Sequence, residues 1–142
     1  MKRHPIQLRN VFVDELHAVV HDRISFAEKE YPKTFDYTVF STDFDEENST
    51  IAIKVEFSIK PSDDAETADR PFSMKVVVTA AFYVDTELFP VDLLEHWSFN
   101  NAPVVLIPFI RENAYALSSR IGFEPVLVPM IEVPTVKIVA KD

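Results

Sequence analysis

The sequence predicts an α+β fold: a four-stranded antiparallel sheet, in a meander or Greek key, with a main C-terminal helix packed on one face. Three observations lead there. Stretches of apolar residues at every second position fill the first half and recur at Phe72–Val84. Polar, turn-forming segments separate them. A single stripe of helical period follows near the end. Strands first and a helix last place the helix against the sheet, because each element has an apolar side to cover.

The elements follow in order. Ile6, Leu8, Val11 and Val13, then Leu16, Ala18 and Val20, recur mostly in steps of two, with a change of phase at Asp14 and Glu15. A period of two with many valines predicts a strand, and the phase change a bulge. Phe12, Leu16, Val19 and Val20 also fit helical spacing, which leaves a helix as the rival reading. Asp22 to Pro32 is polar and reads as a loop. Phe35 to Phe44 alternates, and Asp43 to Ser49 is a dense turn signal. Ile51, Ile53, Val55, Phe57 and Ile59 alternate with Ala52, Lys54, Glu56, Ser58 and Lys60, the signature of a half-buried strand. Pro61 to Pro71 carries four acidic residues and reads as a loop. Phe72, Met74, Val76 and Val78 then point inward from the next strand. Asp92 to Trp97 fits a short helix.

The main helix stripe is Pro103, Ile107, Ile110, Ala114, Leu117 and Ile121. Pro108 has no amide donor and suits a first turn, so the helix is expected from Pro108 to Arg120 with a looser turn before it. Gly122, the single glycine, stands where helices close with a left-handed residue. Val105, Leu106, Phe109, Tyr115 and Ala116 are apolar and off the stripe. A helix apolar on two faces is buried on two sides, which predicts self-association.

Composition narrows the function. The chain has 142 residues, 47% hydrophobic and 12% aromatic, enough for one domain with its own core. It has no cysteine, which removes disulfides and thiolate chemistry. The net charge of −9 and the lack of a Lys/Arg cluster beyond Lys2 and Arg3 argue against nucleic acid. The VFV after the charged start is too short for a signal core, and no apolar run nears the ~18 residues of a membrane span. A soluble, cytoplasmic protein is expected.

No catalytic motif stands out. One glycine cannot form a phosphate loop, and no serine is flanked by glycines. His17 and His21 are four apart near Glu15, but a third metal ligand is not evident. Asp43, Asp45 and Glu47 alternate like the start of a calcium loop, yet Asn48 replaces its glycine, and a solvated turn is the plainer reading. A non-enzymatic protein without cofactor or metal is expected. Tyr31, Phe35, Tyr37, Phe40, Phe82, Tyr83, Phe89 and Trp97 exceed the needs of one small core. Core packing is the ordinary fate of each, but a groove of such side chains also suits extended peptides of varied sequence.

The segment from Pro103 onward carries a resemblance. Pro103, Val105, Leu106, Pro108, Phe109, Arg111, Glu112, Ser119, Arg120, Phe123, Pro125, Leu127 and Pro129 stand in the order found in the SecB family of export chaperones. The likeness covers Phe72 to Ile131 well. It implies an ATP-independent holdase for unfolded or nascent polypeptide. It places Tyr31, beside Pro32, near the client groove, to which the aromatic surplus adds Phe35, Tyr37, Phe82 and Trp97. It implies a homo-oligomer, a dimer or a dimer of dimers, with sheets joined edge to edge and helices sandwiched between them. Met74, Val76, Val78, Leu106, Phe109 and Ile110 would form that interface. Glu15 is similar to an acidic residue that meets the SecA motor; Lys75 and Val19 stand at two further motor positions. Some SecB-like proteins serve an antitoxin, so an antitoxin-specific interaction protein is the alternative. The family pattern goes on to a second helix and an acidic tail, where this sequence reads PTVKIVAKD.

Overall fold

The computed structural model describes residues 1–23, 35–59 and 71–130. Four strands, β1 (Ile6–Val20), β2 (Asp36–Ser41), β3 (Thr50–Ile59) and β4 (Phe72–Val84), form one antiparallel sheet in the order β1-β4-β3-β2. Strands β2 to β4 make a meander, and β1 lies beside β4 at the far edge, the Greek-key variant of the expected sheet. A 3-10 turn (Val91–Leu93) leads into α1 (Leu94–Asn100) and α2 (Ala102–Arg120).

Alternation sets the two faces. Ile51 to Ile59 on β3 and Phe72 to Val84 on β4 turn every second side chain toward the helices, and these residues are almost wholly buried. Leu106, Ile110 and Ala114 of α2 complete the core at 0% exposure.

Strand β1 is a strand throughout, which sets aside the helical reading. It carries two bulges rather than one. Register with β4 slips at Arg9 and again at Asp14, where the Thr79 hydroxyl donates to the Asp14 carboxylate. Each slip corrects the phase, so Ile6, Leu8, Val11, Val13, Leu16, Ala18 and Val20 all share the helix side of the sheet.

The helix boundary differs from the expectation. Helix α2 begins at Ala102, and Pro108 lies inside it. Pro103, near the start, takes the N-terminal role assigned to Pro108. Pro108 removes the amide that would donate to the Val104 carbonyl. Both residues face solvent, where water can take that carbonyl, so the helix continues. Leu106 is also corrected: it belongs to the core at 0% exposure, not to the second face.

The end of α2 is a Schellman closure. The Phe123 amide donates to the Ser118 carbonyl and the Gly122 amide to the Ser119 carbonyl, with Gly122 at φ 82°. Residues 123–128 then run back along the helix. Phe123 packs on Phe72 with ring centroids 4.9 Å apart, and Val126 and Val128 are buried. The segment is pinned twice: the Val126 amide donates to the buried Ser118 hydroxyl (2.8 Å), and Arg111 Nε donates to the Val128 carbonyl (3.0 Å). Arg23 adds a third tie, donating to the Ile121 carbonyl at 2.7 Å from above the Phe123 ring. Ser118→Ala is expected to cost about 1–3 kcal/mol in urea unfolding, because it strands the buried Val126 amide. Ser118→Thr, which keeps the hydroxyl, should recover part of that loss.

Candidate client groove and sheet faces

One apolar groove opens at the end of the sheet where β1 begins. Phe82 and Trp97 form its floor, with Ile6 and Leu8 on one wall and Val104 and Val105 of α2 on the other, and its volume is about 460 Å³. Phe82 and Trp97 meet edge to face at 5.0 Å, which locks the floor. Leu8, Val104 and Val105 remain about two-fifths exposed. The apolar surface continues along β1 through Val13 and Leu16 on the helix side and Phe12 on the other. The outer edge of β1 is unpaired among the described residues.

The expected client residues divide into two places. Phe82 and Trp97 line this groove. Phe35 and Tyr37 are half-buried on the β2 side, where Phe35 packs on Phe57 at 5.2 Å. Phe57 is opposite Val76, and Ile51 is opposite Phe82, so the two places are six residues apart along β4, about 20 Å. Tyr31 lies outside the described residues. Leu8, Val104 and Val105 were not among the expected groove residues. Leu8 read as one more inward strand position, and the second-face pattern pointed to Val105 without its partner across the gap.

Met74, Val76, Val78, Leu106 and Ile110 are at most 2% exposed. They spend their surface on the subunit's own core and have none left for a second copy. Phe109 alone of the expected interface set is partly exposed. Val104, Val105 and Tyr115 are the larger exposed apolar side chains of α2.

The outer face of the sheet, which no helix covers among the described residues, is organised by charge. Lys75 reaches Glu56 at 3.0 Å and Glu15 at 3.2 Å, and these two carboxylates raise its pKa. The buried Val77 lies between Glu15 and Glu56 in register, under the stems of these long side chains. The Glu15 carboxylate therefore shares the Lys75 ammonium with Glu56 inside the subunit. His21 shares a hydrogen bond with the Ser73 hydroxyl at 2.8 Å. Among the described residues no three His, Asp or Glu side chains converge on a metal position. The Asp45 carboxylate is occupied by its own turn, accepting from the Asn48 amide and side chain, which lowers its pKa.

Tyr37 carries an orphaned hydroxyl that finds no hydrogen-bond partner among the described residues. Burial pushes its pKa from 10.0 up to about 12. Neutral Tyr37 therefore adds stability that is whole below pH 10 and is lost as the pH rises toward 12. In an alkaline absorbance titration, Tyr37→Phe is expected to remove a phenolate that forms only as the pH approaches 12. The loss of stability between these pH values should shrink with it.

Comparison with solved structures decides the architecture. The chain overlays a SecB-like chaperone of Mycobacterium tuberculosis, solved in complex with an antitoxin peptide, with a TM-score of 0.64. The overlay covers 92% of this chain and 94% of that one at 18% identity. The fold is SecB-like. A protein of unknown function from Streptococcus agalactiae overlays more loosely, with a TM-score of 0.49, 18% identity, and coverage of 88% of this chain and 97% of that one. No protein-family model and no curated protein matches the chain in sequence. The SecB-like fold accounts for the sheet order and for the position of α2. No helix among the described residues is long and apolar enough to cross a membrane.

Proposed function

We propose that this protein is an ATP-independent holdase that binds unfolded or nascent polypeptide in the cytoplasm. The observation that carries the reading is the continuous apolar surface from the Phe82–Trp97 groove along β1, exposed at Leu8, Val13, Leu16, Val104 and Val105. An apolar trough beside an unpaired strand edge suits an extended chain: the edge offers backbone hydrogen bonds and the trough takes side chains in any order. The same edge supports a homo-oligomer, with a second copy on β1 and on the exposed face of α2. Non-enzymatic action fits a groove whose floor and walls are mostly aliphatic and aromatic.

A dedicated client is the second reading. It is favoured by the antitoxin peptide held by the similarly folded mycobacterial chaperone and by the state of Glu15. An export motor that reads acidic residues would meet a carboxylate already tied to Lys75. The SecB-like fold would then serve a client such as an antitoxin without SecA.

Aggregation of an unrelated unfolded enzyme, followed by light scattering, tests the proposal. A general holdase suppresses scattering at near-stoichiometric ratio without nucleotide. No suppression, with sedimentation showing a monomer at micromolar concentration, would overturn both the general holdase and the oligomer.

A further inference from the structure

The geometry points to a client class for this groove: segments in which an acidic residue lies a few positions from an apolar anchor. The inference rests on the holdase reading and adds a charge preference to it. His4 lines the apolar groove and also a second cavity of about 460 Å³ around the start of β1. That second cavity is lined by Arg3, Gln7, Arg9, Tyr83 and Asp85, among others. Arg9 is the bulged residue of β1, and its guanidinium lies 5.8 Å from the Tyr83 ring centroid, which orients it against the sheet end. Neither Arg3 nor Arg9 has a carboxylate within ion-pair distance among the described residues. Asp85 is the one acid in the lining, and its carboxylate accepts the Glu87 amide.

The chain has 23 acidic and 14 basic residues, and its net charge of −9 favours basic partners at long range. Round the start of β1 from the groove, on the outer face that Gln7 and Tyr83 share, the local sign is reversed, and His4 lines both cavities. An apolar side chain seated in the groove between Leu8 and the Val104–Val105 wall would bring a neighbouring carboxylate of the same segment round the start of β1, past His4, to Arg3 and Arg9. Planar guanidinium groups match a carboxylate with two parallel hydrogen bonds, which makes the site selective as well as attractive.

The test uses the full chain without an N-terminal tag and three fluorescent peptides that share one Leu/Phe-rich core. One is flanked by Glu, one by Gln and one by Lys. Anisotropy at low salt is expected to give the Glu peptide about five- to tenfold tighter binding than the Gln peptide, the scale of one or two solvent-screened charge contacts. The advantage should fall with added salt. The double variant Arg3→Gln/Arg9→Gln should erase it while leaving the Gln peptide within about twofold. Binding of the Gln peptide with no preference for Glu would overturn this inference alone and leave the holdase standing. Binding of none of the three would overturn both. Equal capture of a short single-stranded oligonucleotide, lost in the same double variant, would overturn the peptide assignment in favour of a general polyanion site.

Discussion

Phe82→Ala is expected to cost about 3–5 kcal/mol of unfolding free energy, the range for a buried aromatic truncated in a core. Phe82 is 2% exposed, flanked by Leu8 and Ile51 in register, and set edge-on to Trp97. The cavity cannot close easily, because both neighbours are held in strand register. Trp97 is the only tryptophan and reports the change directly. Its emission should shift to the red as the groove floor opens to water, before global unfolding. Urea unfolding gives the free energy, and an unchanged slope would locate the effect in the native core. Phe82→Leu keeps most of the volume and should cost less than half as much. Equal loss in both variants would mean that the edge-on ring contact, rather than filled space, sets the stability here.

Leu106→Ala and Phe109→Ala should separate core from surface. Leu106 is 0% exposed between α2 and the sheet, so its truncation is expected to cost about 2–5 kcal/mol. Phe109 is only partly buried, and its loss should cost roughly 1–2 kcal/mol within one subunit. Association should follow the opposite order if the exposed face of α2 carries it. Sedimentation of Phe109→Ala would then show dissociation at a concentration where folded Leu106→Ala is still assembled. Parallel loss of assembly in both variants would instead tie association to the global stability of the subunit.

The period of two in β3 and β4 was readable directly, because both strands bury one face and, Ser58 and Val77 apart, expose or half-expose the other. The Gly122 closure was readable because glycine takes that left-handed conformation without a steric penalty. Strand β1 was legible only in part. The three-residue step from Leu8 to Val11 hides a bulge that the pattern alone does not mark, since Arg9 and Asn10 are both ordinary polar residues. The start of α2 was misplaced because a proline inside a helix is costly where its carbonyl partner is buried, and exposure at Val104 is not written in the sequence. Leu106 was misassigned with it, since moving the start of the helix widens the stripe to 103, 106, 107, 110 and 114. The groove could not be read at all as a unit. It joins residues from the start of β1, the end of β4, α1 and α2, and only the Greek-key placement of β1 brings them together. The single cation between Glu15 and Glu56 was likewise invisible, because it depends on the registers of two strand pairs at once.

The paired slips in β1 carry a consequence for how the gene can change. A lost codon at Arg9 or Asp14 would straighten the strand and leave the facing of its neighbours unchanged, since each of those positions is surplus to the ladder with β4. The same loss in the middle of β4 would rotate every later side chain by half a turn, sending Phe82 and Val84 to the solvent side. Length variation in descendants of this chain should therefore collect in its first strand and spare its fourth.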